Sequence, residues 1–398
     1  MKSFRMARRR KWRRAIRAHT RRMAGKPALR LWQRFFIGPG AMLIDSVGSF
    51  FAWLRDRLHF RASRILPPLP PGDFLVIGHR GSPTKAVENT MDSFDRAIEE
   101  DHANAIETDL GVTRDRRVIL SHDWDPDGDV AFARQAGAEF DVAFRPVVPE
   151  EGSPHRKPVC DLTLADLHAH WGFARIDDDK ASGAAIPTIE ELLAWARTKP
   201  TLKLIVLDVK VPDEQAHLMD VILDEVEGAR KKAAFHFETL YMTTQPRVLE
   251  RIRARIPGEN RTFDVEIAPG LGRHSDAISC VEPAIRFGNN HASLGRPRAT
   301  LGGWGIYRRV LTKDLRTIAA RWAGADRTSD GTHVPVKRLI CWTINRPREM
   351  RDLLNMGVHG VISDRPALLR VEADALLATA VEKEAKRKAK AARKTPPP

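Results

Sequence analysis

From Phe74 onward the chain alternates short apolar runs with amphipathic helical patterns, and the first three runs each end on a histidine or a carboxylate pair. Phe74-Leu75-Val76-Ile77-Gly78 is closed by His79-Arg80-Gly81, Ala105-Ile106 by Glu107-Thr108-Asp109, and Val118-Ile119-Leu120-Ser121 by His122-Asp123. Runs this short, rich in β-branched residues and bounded by turn formers, read as strands. In a parallel barrel the C-terminal ends of the strands meet on one face, and sites are built there. Two histidines and a Glu-x-Asp pair gathered on such a face form a hydrolase-like set.

The rest of the pattern extends this reading. Strands are expected near 74–78, 105–110, 117–121, 202–208, 238–243, 261–267, 338–344 and 358–363. Helices are expected near 90–102, 188–198, 213–227, 246–255, 312–323, 347–355 and 366–379. Eight strands with intervening helices predict an α/β fold, a (β/α)8 TIM barrel. Residues 124–186, polar and Pro-rich, carry no βα repeat and read as an insertion after the third strand, a lid or substrate-shaping subdomain. A second irregular stretch spans roughly 268–310. The domain organisation that follows is a basic, partly hydrophobic helical extension over 1–66, a stiff Pro-rich linker over 67–72, the barrel over 73–380, and a basic tail over 381–398 that is disordered or weakly helical.

The formal net charge of +15 suggests a polyanionic partner until its location is considered. Residues 1–35 hold fourteen Lys or Arg and no acid, and 382–398 hold seven against two, so the remainder is slightly acidic. The basicity is therefore an appendage. Residues 35–54 are apolar and long enough to span a bilayer, for which ~20 residues suffice. Gly38-Pro39-Gly40, the mid-segment Asp45 and basic residues on both flanks favour an interfacial anchor instead, with the arm on an anionic membrane surface. A helical hairpin packed on the barrel is the alternative. The expected location is membrane-associated on the cytoplasmic face, with the periplasmic or extracellular side as the other option. The arms lack the aromatic interleaving of a base-stacking surface, so no nucleic acid is expected. Cys160, Cys280 and Cys341 are scattered without C-x-x-C spacing, so neither a disulfide framework nor a zinc knuckle is expected.

Glu107 and Asp109, two apart on a strand, project to the same side. A third carboxylate, Asp208, ends the run Leu204-Ile205-Val206-Leu207 and shares that spacing with Lys210. Grouped oxygen ligands suit a hard cation such as Mg²⁺ or Ca²⁺, although an Asp208–Lys210 ion pair and a bridge from Glu107 to Arg80 or Arg114 are the plainer readings. His79 and His122 suit acid/base work because imidazole titrates near neutrality. Arg80 and Lys210 supply the positive charge that a phosphoryl group needs. Phosphodiester cleavage fits this set better than glycosidic hydrolysis, for which two carboxylates suffice, and no G-x-S-x-G elbow is present for a serine hydrolase.

These residues carry a resemblance. His79-Arg80-Gly81, Glu88-Asn89-Thr90, Glu107-x-Asp109, Thr113-x-Asp115 and Val118 before His122-Asp123 are followed by Ile186-Pro187-Thr188, Asp208-x-Lys210, Trp342-Thr343-Ile344-Asn345 and Gly357 to Ser363-Asp364-Arg365-Pro366. In kind, order and approximate spacing they resemble the glycerophosphodiester phosphodiesterases, over about residues 74–370. The resemblance implies a TIM barrel with one divalent cation, Mg²⁺ or Ca²⁺, held by Glu107, Asp109 and Asp208. It implies His79 and His122 as the acid/base pair, Arg80 and Lys210 near the phosphate, and Glu88, Asn89, Asp123 and Trp342 in support. The implied reaction is hydrolysis of a glycerophosphodiester to glycerol phosphate and an alcohol, with attack by the glycerol 2-hydroxyl on phosphorus as one route. The family's E-x-K is Asp208-x-Lys210 here, a form that resembles the sphingomyelinase D group. A lysophospholipid substrate is accordingly the alternative, and a non-catalytic membrane- or nucleic-acid-binding protein is the alternative of another class.

Overall fold

The computed structural model describes residues 64–392 except 68, 71, 140, 268–277, 297–302 and 323–335. Its strands are β1 (Leu75–His79), β2 (Ala105–Val112), β3 (Val118–Leu120), β4 (Phe144–Val147), β5 (Gly172–Arg175), β6 (Leu204–Val209), β7 (Glu238–Thr243), β8 (Asn260–Glu266), β9 (His291–Gly295), β10 (Arg338–Trp342) and β11 (Gly360–Ser363). The strands β1, β2 and β6 to β11 run parallel, and β11 pairs back onto β1, which closes a (β/α)8 barrel. Around it lie α1 (Met91–Asp95), α2 (Asp129–Gln135), α3 (Leu164–His170), α4 (Ile189–Ala196), α5 (Met219–Lys232), α6 (Pro246–Arg255), α7 (Val281–Phe287), α8 (Gly303–Trp322), α9 (Pro347–Met356) and α10 (Pro366–Ala392).

Local chemistry starts several helices where the sequence places them. Thr188 caps α4 and closes a reciprocal capping box with Glu191, while α6 and α9 open on proline, whose missing N–H costs nothing at the first turn. Leu75, Ile77, Ala105, Leu204, Val206, Leu240, Met242, Ile340 and Ile362 pack together as the apolar filling of the barrel. With the lumen filled, polar side chains gather at the two rims, and those at the C-terminal ends of the strands form the mouth.

The eight staves are not the eight expected. The run near 117–121 forms β3, but it pairs antiparallel with β2, through Leu110–Leu120, Gly111–Ile119 and Val112–Val118. The reason is the connection: residues 113–117 can make a hairpin, whereas a parallel crossover needs roughly a dozen residues or more. Arg116 takes a left-handed φ of 57° in that turn. The missing stave is β9, inside the stretch expected to be irregular. Its sequence, His-Ala-Ser-Leu-Gly, has little β propensity and is held by pairing on both sides. The insertion follows β3 as expected and is structured: β4 and β5 form a two-stranded sheet, and Val159, Leu162, Leu167, Trp171 and Ile186 pack on Ile119 as a small second core.

Helix α10 continues to Ala392, so of the two readings of the tail, disordered or weakly helical, its described part takes the helical one. Its Ala, Lys and Glu are strong helix formers. At the other end, the amides of Ile65 and Leu66 donate to the Met356 carbonyl, and Leu66 is buried against Gly357. A Cβ on Gly357, whose φ is +92°, would come within 3.0 Å of Leu66. The barrel therefore begins its packing before the linker. The basic arm and the apolar segment 35–54 lie outside the described residues; among those described, no helix is long and apolar enough to cross a membrane.

Candidate active site

Strand β1 delivers His79 to the barrel mouth and then turns sharply. Arg80 adopts φ 53° and Gly81 φ 89°, and a Cβ on Gly81 would lie 2.6 Å from the Ser93 carbonyl carbon at the start of the following helical turn. This turn sends the Arg80 amide to Glu107 Oε2 at 2.9 Å and leaves the His79 ring at the mouth. His79 Nδ1 is 2.5 Å from Asp364 Oδ1, past the end of β11, and Nε2 lies 3.9 Å from Glu107 Oε2. A carboxylate only accepts, so Nδ1 donates, and in the neutral imidazole Nε2 is the nitrogen with the lone pair.

His122 reaches the same mouth by a different path. Strand β2 overruns the rim, β3 runs back toward it, and the Ser121 amide donates to the Asp109 carbonyl at 3.1 Å. His122 Nδ1 is 2.8 Å from Asp123 Oδ1, so this ring too is backed by a carboxylate and turns Nε2 outward. Burial and the nearby Arg80 charge lower its pKa, which keeps it neutral. The Asp123 carboxyl would be raised by burial, but Arg134 and His122 outweigh this and hold it below its ordinary range.

Glu107, Asp109 and Asp208 converge as expected: each offers an oxygen, and these atoms all lie within 4.8 Å of one another. Glu107 and Asp109 are buried and Asp208 is half-buried. Lys210 Nζ sits among them, 2.6 Å from Asp208 Oδ2 and 3.0 Å from Asp109 Oδ1, so the plain ion-pair reading of Asp208 and Lys210 is also realised. Burial, then Asp109 and Asp208, push the Glu107 carboxyl well up. Asp109 is pulled well down: Lys210 and Arg80 outweigh its burial. Three acids at this separation and an all-oxygen donor set fit a hard divalent cation, with Lys210 Nζ the partner that Asp109 Oδ1 has in this structure.

Arg80 differs from expectation in its direction. Its guanidinium is buried and turned to carboxylates: Nε is 2.8 Å from Asp109 Oδ2, and Nη1 is 2.9 Å from Glu88 Oε2 and 3.3 Å from Glu139 Oε1. Glu88 therefore braces Arg80, while the expected Glu107–Arg80 contact is made by the Arg80 amide. Asn89, in left-handed conformation (φ 56°), donates from Nδ2 to Asp109 Oδ2 at 2.9 Å and accepts from the Thr108 hydroxyl at 2.8 Å. Lys210 is the more exposed of the two cations.

Trp342 lies flat on Gly295, where a Cβ would be 2.5 Å from its Cζ2, and its Nε1 donates to Asp264 Oδ1 at 2.6 Å. The Ser293 hydroxyl donates to the same oxygen at 2.6 Å. Burial and the Asp208 charge raise the Asp264 carboxyl to about 7. Asp264, Ser293, Asp364, Arg134 and Glu139 lie outside the expected set of site residues. Asp364 closes an apolar run just as Asp109 does and could be found by that rule, and Asp264 interrupts the apolar run Phe263-Asp264-Val265. Ser293 lies on the unrecognised strand, and Arg134 and Glu139 lie in the insertion, where no periodicity marks them.

The chain matches the glycerophosphoryl diester phosphodiesterase family model over residues 79–300. It is similar to glycerophosphodiester phosphodiesterase domain-containing protein 4 of Macaca fascicularis, 29% identical over 218 residues that cover 51% of this chain and 30% of that protein. It is also similar to lysophospholipase D GDPD3 of Homo sapiens, 20% identical over 320 residues that cover 76% of this chain and 86% of that one. The chain spans less than a third of the length of the first two curated relatives it matches. Among solved structures, a protein of Silicibacter pomeroyi DSS-3 described as a glycerophosphoryl diester phosphodiesterase superposes with a TM-score of 0.54 at 16% identity, over 80% of this chain and 95% of that one. A glycerophosphodiester phosphodiesterase from Parabacteroides distasonis ATCC 8503 gives 0.50 at 15% identity, over 76% and 98%. At these identities the structural likeness is one of fold.

Proposed function

The chain belongs to the glycerophosphoryl diester phosphodiesterase family, and from that premise we propose that it is a metal-dependent enzyme hydrolysing glycerophosphodiesters to glycerol phosphate and an alcohol. The observation that carries this reading is the convergence of Glu107, Asp109 and Asp208, within 4.8 Å, beside two histidines each backed by a carboxylate. These three acids would hold one divalent cation, with Mg²⁺ and Ca²⁺ both suited to the oxygen donors. When bound, such an ion neutralises and polarises the phosphoryl oxygens.

The chain's own groups do the rest. His79 and His122 each have Nδ1 engaged by a carboxylate, so in the neutral imidazole Nε2 is the free nitrogen and either ring can take a proton from the attacking hydroxyl or water. The other, once protonated, returns a proton to the leaving oxygen. Asp364 and Asp123 hold the two tautomers and stabilise each imidazolium as it forms. Lys210 is the cation placed to touch the phosphate, whereas Arg80, saturated by carboxylates, contributes its field and fixes Asp109.

A second reading, cleavage of lysophospholipids, is favoured by the similarity to a human lysophospholipase D over most of that protein's length. One experiment separates the two: turnover of glycerophosphocholine and of lysophosphatidylcholine, each with EDTA and with Mg²⁺ or Ca²⁺ restored. Metal-restored cleavage of the soluble diester is expected. Cleavage of the acylated substrate alone would select the second reading, and undiminished turnover in EDTA would remove the metal. We also propose that the basic arm holds the enzyme on an anionic membrane surface at the cytoplasmic face. Because Ile65 and Leu66 pack on the barrel, removing residues 1–63 should abolish sedimentation with anionic vesicles yet leave turnover of the soluble substrate; unchanged binding would refute the anchor.

A further inference from the structure

Closure of the barrel does not require the insertion, yet α2 of the insertion places a buried guanidinium behind the reactive groups. Arg134 Nε lies 3.0 Å from Asp123 Oδ1 and 3.1 Å from Oδ2. Its Nη1 donates to Glu88 Oε2 at 3.2 Å and to Glu139 Oε2 at 2.5 Å, and its Nη2 donates to Glu88 Oε1. Asp123 and Glu88 each have a second partner at the mouth. Asp123 Oδ1 is 2.8 Å from His122 Nδ1, and Glu88 Oε2 accepts from Arg80 Nη1 at 2.9 Å.

We propose that Arg134 is a positioning residue for the reaction: one guanidinium plane holds Asp123 behind His122 and Glu88 behind Arg80, so the insertion sets the geometry of the site. This rests on the functional reading above. The chemistry requires arginine in particular. A rigid fork can bridge carboxylates on different segments at once, whereas an ammonium is a point charge on a flexible stem and cannot keep these directions. Without the fork, Asp123 loses the contact that sets its rotamer, and His122 loses the acceptor that fixes its tautomer. Glu88 and Glu139, which Arg80 already contacts, then lose their bonds to the second guanidinium, and their pull on Arg80 competes with Asp109.

A plain structural clamp would show the same contacts, so the test needs a readout that a clamp does not move. Full-length Arg134→Lys and Arg134→Gln proteins are compared with the parent by kcat and KM on glycerophosphocholine with Mg²⁺ or Ca²⁺, by thermal midpoint, and by ¹⁵N imidazole spectra of ¹⁵N-His protein, with His122 assigned through His122→Ala. For Arg134→Lys the expected result is kcat lowered roughly 10–100-fold, the loss typical of groups that orient a reacting side chain from behind. KM should move far less, and the His122 Nδ1 resonance should shift. A kcat within about twofold of the parent, or an unmoved His122 resonance, overturns the proposal whatever happens to the melting temperature. Should Arg134→Gln fail to fold, Arg134→Lys, which keeps the charge, decides alone. Should the parent cleave no glycerophosphodiester, the functional reading fails, and the His122 resonance by itself decides for or against the positioning role.

Discussion

Replacing Asp264 by asparagine should change how stability depends on pH, and the structure sets both sign and size. Burial and then the Asp208 charge raise the carboxyl from 3.8 to about 7, outweighing the hydrogen bonds it accepts from Ser293 and Trp342 on one oxygen, which favour the charged form. A carboxyl whose folded pKa lies above its unfolded value keeps a proton that the unfolded chain releases. Its contribution to stability therefore falls as pH climbs from the unfolded value to the folded one. A rise of this size corresponds to about 4 kcal/mol in full, of which roughly 2.5 kcal/mol falls between about pH 5 and about pH 8. An asparagine in its place does not titrate and can still accept from Trp342 and Ser293. Metal-stripped protein unfolded in urea should thus show the parent losing about 2–3 kcal/mol relative to Asp264→Asn over that window, with the variant's pH-independent offset cancelling. Parallel curves, within about 0.5 kcal/mol of each other, would refute the claim that burial beside Asp208 raises the Asp264 carboxyl toward neutrality.

Two further perturbations probe the mouth. His79→Ala or His122→Ala should lower kcat by on the order of 10²–10⁴ with little change in the thermal transition, and a variant with full turnover would remove that histidine from acid/base work. Gly295→Ala would push a methyl into the Trp342 ring and break its bond to Asp264; overpacking and the lost hydrogen bond together should cost about 2–5 kcal/mol in urea unfolding. An unmoved Trp342 indole N–H resonance in that variant would show that the ring does not depend on the glycine.

Strand β1, the start of β2 and the capped or Pro-opened helices are legible because each is governed by neighbours in sequence: β-branched runs, Thr188 with Glu191, Pro246, Pro347. Strand β9 is not, since its Ala, Ser and Gly are held extended only by pairing with β8 and β10. The direction of β3 departs from expectation for the opposite reason. Its residues do form a strand, and the short connection to β2, rather than their composition, turns it back.

The site divides along the same line. Which groups sit at the mouth is a property of one dimension: Glu107 and Asp109 share a face through their i, i+2 spacing, and His79 and Asp208 close apolar runs that must end where the filled lumen ends. How those groups are set is a property of three. Asp364 behind His79, Asp123 and Arg134 behind His122, and Asp264 under Trp342 pair side chains from different strands and from the insertion. Buried charges must find partners wherever closure of the barrel brings them, and that requirement leaves no periodic trace along the chain. The sequence by itself therefore determined a barrel and which polar residues gather at its mouth, while tautomer, charge and the commitment of Arg80 to Glu88, Asp109 and Glu139 were decided only by the closed tertiary structure.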